Sequence, residues 1–344
     1  MKGILIGGAF IISTCLGFLP NGISKAKPFW WKLLLIISGL LTILMGLGIQ
    51  TGGSFVGVSM VAVGRESGAK TNLYAKVISI NDKEVTLIDN DSNIKTISFL
   101  NNSSILDLKI NQKLIIETSF DRTTKKFTGY RVLLIDPYLV LPLIPQLEER
   151  ARNLYFHVPT AWLTQLAWFI AFGYAIAYLR TRKLEYDMIA ESAAIIGFLF
   201  CILATTTGAV WAKFNWGKFW NWDPRQTSIF IVMLIYGAYF ALRSSLNNQE
   251  TKSKISSIYL ILLCLPVVFL LFVLPRLMDG LHPGSMGDSN SGPVLSAKTD
   301  SLDFTKQVIY SISLFHFILL YFWLVNISSR TKILKLNTQN DIFS

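Results

Sequence analysis

Charge is what this chain has least of. Only 15% of its 344 residues are Asp, Glu, Lys or Arg, against roughly 25% in an ordinary soluble domain. A chain so poor in charge cannot cover a large water-facing surface, which removes it from the soluble class. Cysteine is scarce as well. Cys15, Cys201 and Cys264 each fall in an apolar run, and neither C-x-x-C nor C-x-x-C-H occurs. That argues against a zinc site, a redox dithiol and a covalently attached c-type haem of the chain's own. Isolated thiols in apolar surroundings read as buried small hydrophobes. Histidine is equally rare, with His157, His282 and His316 making up the full set.

What is present is hydrophobic sequence, 52% of the chain. Six stretches read as apolar runs suited to crossing a hydrocarbon core, which takes about 20 residues. They are Trp31–Gln50, Val158–Leu179, Ala193–Val210, Ile229–Leu242 with its flanks, Ile258–Leu274 and Val308–Ile327. A seventh stretch, Ile4–Leu19, is shorter and only Lys2 precedes it. No A-x-A cleavage pattern follows it, so it reads as a retained helix in preference to a signal segment. The expected architecture is therefore mainly α, a polytopic bundle of six to seven transmembrane helices in a lipid bilayer.

The net charge of +11 is explained by where the cations lie. Arg180, Arg182 and Lys183 follow one span, Arg243, Lys252 and Lys254 another, and Arg330, Lys332 and Lys335 the last. The positive-inside rule puts these three groups on the cytoplasmic side, with Lys25, Lys27 and Lys32 beside them. Alternation then places Lys213–Gln226 and Arg276–Asp303 outside. Topology accounts for the basic excess, and no nucleic-acid partner is called for.

One segment, about Thr71 to Asp136, has a different character. Polar and apolar residues alternate, and Asn81-Asp82-Lys83 and Asp89-Asn90-Asp91-Ser92-Asn93 supply turns. Candidate strands are Leu73–Ile80, Glu84–Ile88, Ile94–Phe99, Lys113–Thr118 and Tyr130–Ile135. Five short strands suggest a small barrel of OB or SH3 type. Thr51–Gly64 reads as its glycine-rich approach and Pro137–Arg152 as its exit. The segment holds no His or Cys, so its own residues support no metal binding, and a docking module is its plain reading.

The chemistry concentrates elsewhere. His157 opens a span at its outer end, and His282 sits in an outer loop just past another span. Taken singly, each reads as an interface or capping residue. Their shared side and depth in a chain with three histidines make them a pair, and two facing neutral imidazoles are what bis-histidine ligation of haem iron requires. His316 lies in mid-span, where a bond to a neighbouring helix's carbonyl would satisfy it, and stays outside the candidate site.

Four of the nine tryptophans, Trp211, Trp216, Trp220 and Trp222, fall within twelve residues, together with Phe214 and Phe219. An interfacial aromatic belt explains scattered indoles. A run mixed with Gly217, Asp223 and cations better suits a face on which a porphyrin stacks. Lys213, Lys218 and Arg225 are placed to bond two propionates. Asp223 is placed either to fix an indole N–H or to orient the loop.

The run Trp216-Gly-x-x-Trp220-x-Trp222-Asp223-x-Arg225-x-Thr227 resembles the WWD signature of haem-handling proteins of cytochrome c maturation, the CcmC/CcsA family. Arg152 to Trp162, with His157-Val-Pro159, and Leu274 to Pro283, with His282, resemble the two histidine segments of CcmC. The resemblance covers about Glu148 to Lys335. It implies non-covalent, transient haem b with His157 and His282 as axial ligands and Trp216, Trp220, Trp222, Asp223, Arg225 and Lys218 around the ring. It also implies the outer face of the bacterial inner membrane, transfer to a CcmE-like haem chaperone, and ABC-transporter subunits as partners. Two further functions stay open: a CcsA-type cytochrome c haem lyase, which shares the signature and would be an enzyme, and a haem exporter subunit, in which the loop is an exit vestibule.

The expected organisation is thus an N-terminal membrane segment over 1–64 and a small extracytoplasmic β domain over 65–137. A CcmC-like domain over 138–335 carries the loop 211–227, and a cytoplasmic tail occupies 336–344. The β domain departs from the compact family form, and with no histidine it is not a fused haem chaperone of the usual kind.

Overall fold

The computed structural model describes residues 2–101, 105, 107–145, 147–286 and 302–343. The chain forms two compact units. One combines Met1–Ile43 with Asn153–Ser344, and the other is Leu44–Arg152. The helices in chain order are α1 (Lys2–Phe18), α2 (Phe29–Ile43), α3 (Phe55–Gly64), α4 (Leu154–Thr181), α5 (Leu184–Trp216), α6 (Pro224–Ser245), α7 (Gln249–Leu262), α8 (Cys264–Val268), α9 (Leu274–Leu277) and α10 (Phe304–Phe343). Five helical stretches among the described residues are long and apolar enough to span a bilayer: Phe29–Gly48, Glu148–Thr181, Leu184–Trp216, Pro224–Ser245 and Phe304–Thr338. A sixth span is a bent pair, Gln249–Leu262 with Cys264–Leu277. The protein is a multi-pass membrane helix bundle with an inserted β unit.

The sixth span, expected from the sequence as one run, bends by 41°. Pro266 explains the break, because it has no N–H to return to the carbonyl of Leu262, four residues earlier. The chain then makes a π turn, Phe269–Val273, before α9. Proline acts differently in α4. Pro159 leaves the carbonyl of Tyr155 without its helical partner, and the Ser313 hydroxyl of α10 donates to it instead. A defect in one helix thereby becomes a tie to its neighbour.

Helices α4 and α5 approach through small residues. Ala167, Ala171 and Ala175 face Ala190, Ala193, Ala194 and Gly197, all but Gly197 at most 1% exposed. A Cβ on Gly197 would lie 2.5 Å from that of Ala167 and 2.7 Å from the Tyr236 hydroxyl. In lipid, where apolar side chains gain little from leaving the solvent, such close backbone packing is what holds helices together. His316 is satisfied in mid-bundle, with Nδ1 3.1 Å from the Leu35 carbonyl and 3.3 Å from the Ser38 hydroxyl.

The bundle end opposite the Trp-rich loop is held by charge. The buried Arg243 guanidinium donates from both Nη atoms to Asp187, at 2.8 and 2.7 Å, and its Nε lies 2.9 Å from Glu191. Lys332 pairs with Glu191 at 2.6 Å, and the Ser253 hydroxyl donates to Asp187 at 2.7 Å. Four helices, α5, α6, α7 and α10, are joined by this network. The end carries more cations than the network uses, among them Arg180 and Arg182 at the α4 terminus.

In the second unit, five strands close a barrel: β2 (Lys70–Asn81), β3 (Glu84–Asp89), β4 (Ile94–Phe99), β5 (Lys113–Asp121) and β6 (Lys126–Ile135). Each candidate strand is present, and four of the five extend further at their polar ends. The order is β2-β3-β4-β6-β5, with β5 returning to β2 and one parallel pairing, β4 with β6. This five-stranded Greek-key closure is of the OB type and decides between the two barrels expected. The short strands β1 (Thr51–Gly52) and β7 (Leu141–Pro142) pair in parallel, so the unit is tied where the chain enters and leaves it.

The segment expected to be a glycine-rich approach is in fact α3. Its Phe55, Val58, Val61 and Ala62 are buried at helical spacing, and Phe55 and Val58 join the barrel core of Leu73, Val85, Ile97 and Phe127. Asp89 accepts the Phe55 amide at 2.8 Å while its other oxygen accepts the amides of Asp91 and Asn93. Residues 287–301 of the loop expected at Arg276–Asp303 lie outside the described residues. Helix α10 continues through the stretch expected as a tail, as far as Phe343.

Replacing Arg243 by Ala would leave Asp187 buried without its charge partner, a loss of about 3–5 kcal/mol. The expected result is a clear drop in the thermal midpoint of the detergent-solubilised protein, followed by tryptophan fluorescence. An unchanged midpoint would mean that the network does not hold the bundle.

Candidate functional site

The Trp-rich loop is built by the ends of two helices. Helix α5 stops at Gly217, in the left-handed region at φ 82°, whose amide bonds back to the Lys213 carbonyl. Helix α6 starts at Pro224 with Asp223 as its N-cap, the carboxylate accepting the Arg225 amide at 2.9 Å. Between them the buried Gln226 clamps the loop, since its side chain accepts the Asn221 amide at 2.8 Å and donates to the Phe219 carbonyl at 3.3 Å. Trp222 holds a left-handed backbone, φ 55°, and is 71% exposed. A bulky residue rarely adopts that conformation, and such strain gathers at binding sites.

Asp223 also reaches beyond its own helix. One oxygen lies 2.6 Å from Nδ1 of His282, and the other accepts the Leu281 amide at 2.6 Å. Burial alone would raise this carboxyl, but the hydrogen bond and charge of His282, with the amides of Arg225 and Leu281, hold it at about 2. Asp223 is therefore ionised at neutral pH. An ionised carboxylate can only accept, so Nδ1 of His282 donates to it. Trp216 packs edge-on against the same imidazole, with ring centroids 4.7 Å apart. Of the two roles expected for Asp223, loop orientation is the one its bonds serve, and holding His282 is added to it.

His157 is arranged in parallel fashion. Its Nδ1 lies 3.1 Å from the Thr207 hydroxyl of α5. That hydroxyl gives its own proton to the Leu203 carbonyl at 2.6 Å, so its oxygen is left to accept from His157. The Ala204 carbonyl is a second acceptor for the ring, and with its proton on Nδ1 the ring keeps Nε2 as a donor. The ring lies over Gly208, where a Cβ would come within 2.7 Å of it. Asn153 supports the same turn, donating to the Thr207 carbonyl at 3.1 Å. His282 and Arg225 both lie near enough to His157 to act on it electrostatically.

The other expected residues divide. Arg225 reaches the Pro283 carbonyl with Nη2 at 3.4 Å, while its buried Nε has no partner among the described residues. Trp220 packs against Phe230 and stands perpendicular to Trp222, 5.9 Å away. The indoles of Trp216, Trp220 and Trp222 thus do not share one plane. Lys218 is exposed, and the Lys213 ammonium bonds to the Gly217 carbonyl at 3.1 Å. Thr207, Gln226 and Asn153 were not foreseen as supports of the site. The run Thr205-Thr206-Thr207-Gly208 inside an apolar span was the one signal available.

The profile of the family described as heme exporter protein C matches residues 130–343, more than half of the chain. The chain belongs to the CcmC family. The heme exporter protein C of Rhodobacter capsulatus is 32% identical over 153 residues, 43% of this chain and 61% of that protein. Its counterpart from Paracoccus denitrificans is 26% identical over 182 residues, 53% of this chain and 73% of that protein. The cytochrome c biogenesis protein CcsA of Cuscuta reflexa is 38% identical over 85 residues, 24% of this chain and 28% of that protein. This CcmC-family chain thus spans less than two thirds of the Rhodobacter relative's length.

The Asp223 carboxyl is held below its ordinary value of 3.8, so its bonds contribute fully above that value and are lost as pH falls towards about 2. Replacing Asp223 by Asn should lower the thermal midpoint at every pH between about 7 and 5. The margin should close between about pH 4 and 2. A margin that closed already between pH 7 and 5 would contradict the assignment.

Proposed function

We propose that this protein binds haem b non-covalently between His157 and His282 and hands it on for cytochrome c biogenesis. The observation that carries this reading is the placement of the two imidazoles. Each has an oxygen facing its Nδ1, and with the proton held there each ring offers Nε2 to a metal. Two such donors are the axial set that bis-histidine haem requires, and the bond each makes at Nδ1 fixes its tautomer and ring orientation. Trp216 beside His282 and the exposed Trp222 supply aromatic surface for the ring, and Arg225, with an unpartnered Nε, suits a propionate. The names of the relatives, heme exporter protein C, support the same cargo.

Haem held in this way makes no covalent bond to the chain, so it can leave by ligand exchange. The chain's part is to bind and orient: α4 and α5 hold His157, while the start of α6 holds His282 through Asp223. The acceptor in this reading is a CcmE-like haem chaperone, working with ABC-transporter subunits at the outer face of a bacterial inner membrane, and the cation distribution supports that side for the loop. The similarity to CcsA supports a second reading, a cytochrome c haem lyase. Adding apocytochrome c alone and assaying for thioether bonds separates the two, because only a lyase forms them.

Haem added to the purified protein should give a six-coordinate low-spin absorption spectrum. Changing either histidine to Ala should abolish the six-coordinate form, and the double variant should hold no histidine-ligated haem. A double variant that kept the full six-coordinate spectrum would overturn the ligand assignment.

A further inference from the structure

We propose that the two imidazoles are unequal iron ligands: His282, backed by the Asp223 carboxylate, retains the haem, and His157, backed by the Thr207 hydroxyl, gives way to the incoming acceptor. This rests on the haem binding proposed above and adds the order of exchange.

The group that accepts the Nδ1 proton sets the donor strength of Nε2. A carboxylate draws that proton strongly and gives the ring imidazolate character, which raises its basicity towards a metal. His282 has such a partner at 2.6 Å, and it is buried. The partners of His157 are neutral, the Thr207 hydroxyl at 3.1 Å and the Ala204 carbonyl. A neutral acceptor at the longer distance polarises the ring far less than a charged one, so Nε2 of His157 is the weaker donor.

Mechanical support differs in the same direction. His282 is pinned at its ring by Asp223 and Trp216, and its carbonyl accepts the Ser285 hydroxyl at 2.8 Å. The Asp223 bond to the Leu281 amide fixes the preceding residue as well. His157 lies just before Pro159, where α4 has no backbone bond from position 159 to Tyr155, and its ring rests on the flat surface that Gly208 leaves. A shift of that first turn breaks only bonds to neutral oxygens. Moving His282 requires the Asp223 constellation to come apart.

The exchange balances without redox or proton loss. The dative bond from Nε2 of His157 breaks and its electron pair returns to that nitrogen, while the acceptor's donor atom supplies a new pair. The Nδ1 proton stays on His157, bonded to Thr207.

Carbon monoxide, added to the reduced haem-loaded protein in detergent, displaces the weaker axial ligand. The Fe–CO and C–O stretching frequencies then report the ligand that remains. The adducts of the wild type and of His157→Ala should superimpose, and Asp223→Asn should shift the frequencies of both. Thr207→Val should leave the frequencies unchanged and speed carbon monoxide entry severalfold. The proposal is overturned if the wild-type frequencies respond to Thr207→Val and not to Asp223→Asn, or if two adducts form in comparable amounts. The comparison of wild type with Asp223→Asn stands even where a histidine variant fails to fold. A wild type lacking the six-coordinate spectrum before carbon monoxide is added would remove the haem reading itself, a failure distinct from that of the order.

Discussion

The site depends on one carboxylate. Asp223 caps α6, bonds the Leu281 amide and holds the His282 ring, so the start of one helix, the loop beyond another and a candidate iron ligand are fixed by a single side chain. Its neighbours are arranged around that requirement. A Cβ at Gly280 would come within 2.9 Å of the carboxylate, and Gln226, one turn into α6, ties down the Trp-rich loop that ends at Asp223. Tryptophans could not be positioned by packing alone in a loop this exposed. The backbone bonds do it, and Trp222 accepts an unfavourable conformation as a result.

The bundle is tied by charge at its far end and departs from regular helix at its near end. Arg243, Asp187, Glu191 and Lys332 join four helices at the end remote from the loop, where breaking any pair would strand a charge in a poorly hydrated place. Near the loop, α4 is interrupted at Pro159 and the last bent span carries a π turn just before the His282 segment. π turns recur at functional sites because they re-aim the residues that follow. Both candidate ligands therefore follow or precede a local departure from regular helix.

Much of this was legible in the sequence. Apolar runs located each span but fell short of its ends by as much as about ten residues, because the helices continue past the hydrocarbon into polar sequence such as 184–192. Alternation gave every barrel strand, because burial on one face imposes a period of two on Leu73, Ala75 and Val77. The WWD run and the two histidine segments pointed to the site before any geometry. Three features were hidden. Helix α3 was obscured by its glycines and by an apolar run with few polar breaks, although Phe55, Val58, Val61 and Ala62 do keep a helical period. The bend at Leu263 needed the hydrogen bond lost at Pro266 to be weighed against an unbroken hydrophobic run. Thr207 could not be paired with His157 by any local rule, since the two are fifty residues apart and meet only through the packing of α4 on α5.

The account stands or falls on the two Nε2 atoms, and a high-resolution structure of the protein loaded with haem tests it most directly. It predicts iron bonded to Nε2 of His157 and of His282, with the bonds from their Nδ1 atoms to Thr207 and Asp223 still in place. Iron held by any other side chain, or a haem lying away from both imidazoles, would contradict it.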